Sequence, residues 1–146
     1  MAQNARLDSL IHAGIYQIYG IEFPQAEKTF QIVQKDYPKN PAGKFFDAMI
    51  DWWRIMLDMD NEEYDDAMID KLEDVIDMCD DILDENENDV NALFFKGGAL
   101  GFRGRLYSVR EEWLDAALDG KDAMPIVNHA YAVDPNNPDV QLGFGI

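Results

Sequence analysis

Residues 23–41 read FPQAEKTFQIVQKDYPKNP, and this stretch decides the fold. Pro24 suits the first turn of a helix, where a missing N–H costs nothing. Ala26, Phe30 and Val33 then fall at steps of four and three, which is one face of a helix. Pro38 forbids its continuation. The same helix and stop return near the other end of the chain. Tyr37-Pro38-Lys39-Asn40-Pro41 is answered by Asp134-Pro135-Asn136-Asn137-Pro138, and Ala26, Phe30 and Val33 by Ala123, Val127 and Ala130, all at an offset of 97 residues. A helix and its stop repeated within one chain mark stacked helical units.

The segments on either side have helical period as well. Leu7, Leu10, Ile11, Gly14, Ile15 and Ile18 form a stripe that predicts a helix over 7–21, ending at Tyr19-Gly20. Residues 41–59 are apolar nearly all round, with Phe45, Phe46, Met49, Ile50, Trp52 and Trp53 among them, which predicts a central helix with neighbours on more than one side. Over 60–85 the stripe Tyr64, Met68, Leu72, Val75, Cys79, Ile82 is cleanly amphipathic, and Asp60 with Glu63 reads as an N-cap pair. Its other face is acidic from Asp66 to Asp84, an expected solvated surface, and Lys71 is the only basic residue of the span. Burial of the stripe must therefore hold this helix.

Residues 90–103 predict a further helix in which Gly97, Gly98 and Gly101 allow close helix approach, with a break at Gly104. Ser108 and Glu111 read as a capping box opening a short helix to Leu118, which Gly120 stops. A last helix is expected from about Lys121 to Val133. No apolar alternation suggests a strand. The fold class is all-α, in short antiparallel hairpins.

Composition narrows the function. The 146 residues, 47% apolar, suffice for one domain with a sizeable core. A net charge of −17, from 29 acidic and 12 basic residues, disfavours nucleic acid and suits basic partners. Cys79 is the single cysteine, so an intrachain disulfide is excluded and the residue reads as a small buried apolar one. No apolar run reaches the length of a membrane span, and the N-terminal MAQNARLDSL lacks the core of a signal peptide, so the chain reads as cytoplasmic, or as periplasmic or envelope-associated if a signal was removed.

In residues 7–40, Leu10, Gly14, Phe23, Ala26, Phe30, Val33 and Pro38 sit at the spacing of a helix–turn–helix repeat, with Ala13 and Gln17 as departures. This pattern resembles the tetratricopeptide repeat, a unit of about 34 residues. Residues 41–88 match it in period, with Ala48 in the glycine place. Residues 89–137 match through Phe94, Gly97, Gly98, Ala123, Val127, Ala130 and Pro135, with 13 extra residues assigned to the additional helix around Ser108–Leu118. Residues 138–146 read as the start of another helix, either an incomplete repeat or an end open to self-association. The resemblance implies a single repeat domain, an α-α superhelical solenoid whose concave groove binds a peptide or helix of a partner protein. Carried over by position, the groove is lined by Phe45, Met49 and Trp52, and by Phe95 and Phe102 with Lys96 and Arg103 beside them.

Lys96 and Arg103 in such a groove suit a partner's carboxylates, including a C-terminal one, while the acidic helix suits a basic segment. No catalytic motif, cofactor site or metal site is legible. Calcium-loop spacing fails from Asp58 and from Asp84. His12 and His129 belong to no ligand motif; His12 falls on a polar face, and His129 is expected to pack. The expected function is a protein-binding scaffold rather than an enzyme. The alternative is a small-molecule or hydrolytic domain with an aromatic pocket of Trp52, Trp53 and Phe95.

Overall fold

In the computed structural model, which describes residues 2–138, the all-α reading holds. Among these residues the helices are α1 Ala2–Tyr19, α2 Phe23–Asp36, α3 Ala42–Leu57, α4 Asp65–Glu85, α5 Val90–Val109 and α6 Trp113–Val133, with no strand. The chain packs as two compact units whose boundary falls between Lys71 and Leu72, within α4. None of the described helices is long and apolar enough to cross a membrane.

In the first unit, α2 begins with Pro24 in its first turn, and Ala26, Phe30 and Val33 expose nothing. They join Ile18, Phe23 and Ile50 in one core cluster. Polar contacts fix the neighbours as antiparallel. Arg6 meets Asp36 at 2.8 Å while Thr29 Oγ1 donates to Gln17 Oε1 at 2.7 Å, tying opposite ends of α1 and α2. Gln34 donates to Asp47 at 3.2 Å and Arg54 pairs with Glu27, doing the same for α2 and α3. Gly14 is required by this packing, because a Cβ there would run into the Phe30 ring. Helix α3 buries Phe45, Ala48, Met49, Ile50, Asp51 and Ile55, residues on every side of it, against α1, α2 and Lys71 of α4, and leaves Trp53 and Leu57 exposed toward its end.

The expected N-cap pair at Asp60 and Glu63 is not formed, because α4 begins only at Asp65. Asp58 caps the end of α3, and Asn61 Oδ1 accepts the Glu63 N–H at 2.9 Å. A side chain that takes this backbone donor favours a turn over a helix start.

The second unit holds the rest of α4 with α5 and α6. Asp89 caps α5 by accepting from the Ala92 N–H at 2.9 Å. Helix α5 then runs through Gly104 without a break, correcting the expected one. A Cβ at Gly104 would stand 3.2 Å from Asp119 Cβ, so the glycine serves the α5–α6 contact. Ser108 lies in the last turn of α5, and α6 is entered at Glu112 with no side-chain cap, so the expected capping box does not form. Nor is there a separate helix to Leu118. Helix α6 continues through Gly120, and through Pro125, to Val133.

A second likeness between the hairpins lies in the turn between their helices. Gly20, Ile21 and Glu22 donate to the carbonyls of Tyr16, Ile18 and Gln17, and Arg110, Glu111 and Glu112 donate in the same pattern to Leu106, Ser108 and Tyr107. Each turn puts its middle residue in the left-handed region, Ile21 at φ 59° and Glu111 at φ 61°. These turns are offset by 90 residues, whereas the stops after α2 and α6, where Asn40 donates to Tyr37 and Asn137 to Asp134, are offset by 97. The seven-residue difference is the length by which the 21-residue α6 exceeds the 14-residue α2, two further helical turns. Longer helices, not an added one, accommodate the extra residues. The expected start of another helix over 138–146 falls, after Pro138, outside the described residues.

Candidate functional site

On α5, Lys96, Leu100 and Arg103 follow one another at steps of four and three and share a face. Glu73, Ile76 and Asp77 of α4 stand on one side of them, Asp122 and Ile126 of α6 on the other, and together they line an open cleft of about 540 Å³ within the second unit. The acidic face of α4 supplies one wall. Lys96 Nζ meets Asp80 Oδ1 at 2.6 Å and Arg103 Nη1 meets Glu73 Oε1 at 3.7 Å, so α4 and α5 run antiparallel with their charges in register. At the closed end of that register Leu83 packs on Leu93 and Ala130.

Arg103 is held from within the chain. Its Nε and Nη2 donate to Asp119 Oδ2 and Oδ1 at 2.8 and 2.7 Å, a two-pronged pair with a carboxylate that is only 4% exposed. The bond to Asp119 raises the guanidinium pKa further, against the opposing effect of burial. Both its strongest donors are therefore committed inside the chain.

The residues expected to line a groove divide into two kinds. Lys96 and Arg103 do share the cleft. Phe45, Met49 and Phe95 are each 6% exposed and belong to the core; the rings of Phe45 and Phe46 meet edge to face at 5.3 Å, as do those of Phe94 and Phe95. Trp52 is half-buried in the first unit. Phe102 is half-buried, with the Arg105 guanidinium 4.9 Å from its ring centre. Sequence reasoning missed Asp77, Asp119 and Asp122. One signal was available: Glu73 and Asp80 are seven residues apart, as are Lys96 and Arg103, which is the spacing that lets two antiparallel helices pair twice.

The first unit holds a second charged cluster, built for packing. Lys71 Nζ reaches Asp51 Oδ2 at 2.7 Å and Asp47 Oδ1 at 3.2 Å, with Asp51 only 2% exposed. Burial pushes the Asp51 carboxyl above its usual range despite Lys71. Burial alone would lower the Lys71 pKa, but its bond to Asp51 and the charges of Asp47 and Asp51 prevail and raise it. Arg54 lies over the rings of Phe23 and Tyr64 at 5.4 and 5.1 Å.

Cys79 exposes nothing, and burial pushes its thiol up to about 12, so it is a neutral core residue. His12 is exposed. His129, expected to pack, is exposed instead and bonds through Nε2 to Asn88 Oδ1 at 2.9 Å. The acidic face of α4 is solvated at Asp66, Asp70, Asp74, Asp81 and Asp84, with Asp80 drawn into its pair with Lys96. No family model matches the chain, and neither a curated protein nor a solved structure matches it.

Proposed function

We propose that the chain is a protein-binding scaffold, a tetratricopeptide-like set of helical hairpins that holds a segment of another protein in the cleft of α4, α5 and α6. The observation that carries this reading is the cleft itself. It is open, and three helices line it with the apolar Ile76, Leu100 and Ile126 beside the charged Glu73, Asp77, Lys96, Arg103 and Asp122. Apolar and charged groups side by side are what a peptide-binding surface offers. The two hairpins with matching turns, at Ile21 and Glu111, support the repeat reading. Against the pocket-enzyme alternative, Asp51, Lys71 and Cys79 have shifted pKa values but lie outside the cleft, in packing positions.

Selection from a displayed library of random peptides on the purified chain tests the proposal. Enriched sequences are expected to share a motif and to shift the amide resonances of residues 73–77, 96–103 and 122–126. A selection that enriches nothing, or peptides whose shifts map elsewhere, would overturn it.

A further inference from the structure

Resting on that reading of the cleft, we propose that its occupant is a lysine- or arginine-bearing segment of a partner protein, not a carboxylate-bearing one. The cations of the cleft are already used. Arg103 holds Asp119 with two donors, and Lys96 holds Asp80 at 2.6 Å. A partner's carboxylate would have to displace one of these internal pairs, and in the case of Asp119 would strand a buried charge. The acids are in excess. Asp119, Asp80, Glu73, Asp77 and Asp122 stand in or beside the cleft against Lys96 and Arg103 alone.

Asp77 and Asp122 decide the matter. Asp77 belongs to the α4 wall and Asp122 to the α6 wall; both are exposed, and among the described residues neither enters an ion pair. The apolar Ile76, Leu100 and Ile126 line the same cleft. A lysine or arginine side chain matches both kinds of lining, with an aliphatic stem for the apolar residues and a charged head for the two carboxylates. The remaining charge of the chain, −17 in all, steers such a partner toward the surface without selecting the site.

The test is a pair of titrations followed by amide resonances. One uses a blocked alanine-based peptide carrying arginine and lysine, the other the same peptide carrying glutamates instead. The basic peptide is expected to shift residues 73–77, 96–103 and 122–126, and the acidic one to leave them in place. Asp77→Asn with Asp122→Asn should weaken the basic peptide roughly tenfold, the order expected for two lost charge pairs. Asp66→Asn with Asp70→Asn removes the same charge from the solvated part of α4 and should change binding less than about twofold. Equal weakening by both pairs would mean attraction by net charge and would overturn the proposal, as would failure of the basic peptide to bind. Preferential binding of the acidic peptide, lost in Lys96→Ala, would overturn it too while leaving the protein-binding reading intact. That reading falls only if the library selection finds nothing that binds the cleft.

Discussion

Lys71 is one basic residue in an acidic helix, yet it pairs with two carboxylates on α3, Asp47 and the buried Asp51. Its raised pKa means that its stabilisation is fully present below the usual value of 10.5 and is lost as pH rises through the folded value. Among the described residues, Lys71→Met leaves Asp51 with only Arg54 as an ion-pair partner, at 3.8 Å. This should cost about 2–4 kcal/mol in urea unfolding at neutral pH, because a buried carboxylate then lacks its close partner. The sign of the pH dependence follows from Asp51. A carboxyl whose folded pKa is raised destabilises above that value and ceases to do so below its unfolded value near 3.8, so the gap between Lys71→Met and the parent should narrow as the medium is acidified. The glycines of α5 give a second residue-scale contrast. A Cβ at Gly101 meets nothing within 4 Å, so Gly101→Ala should stabilise by roughly 0.5–1 kcal/mol. At Gly104 the same atom would press on Asp119, which Arg103 pins, so Gly104→Ala should destabilise by about 1 kcal/mol and disturb that pair. Thermal unfolding of the two variants, expected to move in opposite directions, checks both.

At the scale of the element, helix ends were legible where proline marked them, as at Phe23-Pro24, Tyr37-Pro38 and Asp134-Pro135, whereas the aspartate cap expected at Asp60 is not formed. They were illegible where glycine was taken for punctuation. Gly104 and Gly120 lie inside helices of 20 and 21 residues, because the long α5–α6 contact outweighs the roughly 1 kcal/mol that each glycine costs. Lys96 and Arg103 were legible as cleft residues, but their committed partners were not, since Asp119 meets Arg103 only once α6 is continuous through Gly120. The aromatic positions misled for a different reason. Period alone cannot tell a groove-lining face from a core face, and Phe45 and Phe95 proved to be core. The two hairpin turns carry a cost the sequence also hides. Left-handed backbone at a residue with a Cβ costs roughly 1–2 kcal/mol, and Ile21 is exposed, so Ile21→Gly should gain about 0.5–1 kcal/mol after the added flexibility of the unfolded chain is counted. Glu111→Gly should gain a similar amount, because its turn has the same hydrogen bonds. Unequal responses in paired denaturation curves would show that the turns are alike in geometry but not in strain.

Over the whole molecule the governing fact is 29 acidic residues against 12 basic ones. Salt acts on this distribution in two opposite ways. It weakens attraction in the ion pairs, and it weakens repulsion among the exposed carboxylates. Which wins depends on where each lies. The pairs that bind elements together involve partly or fully buried partners, Lys71 with Asp51 and Arg103 with Asp119, and buried pairs are screened little. The repulsion is on the surface, along the exposed Asp66, Asp70, Asp74, Asp81 and Asp84 of α4, where the Debye length falls from about 30 Å at 0.01 M salt to about 3 Å at 1 M. Screening therefore removes more repulsion than attraction, and the melting temperature should rise with added sodium chloride. The same screening should weaken the basic peptide in the cleft, because the Asp77 and Asp122 carboxylates that would hold it are exposed. Stability and binding are thus expected to respond to salt with opposite sign, and a protein that melts lower as salt is added would show that surface repulsion is not what limits this fold.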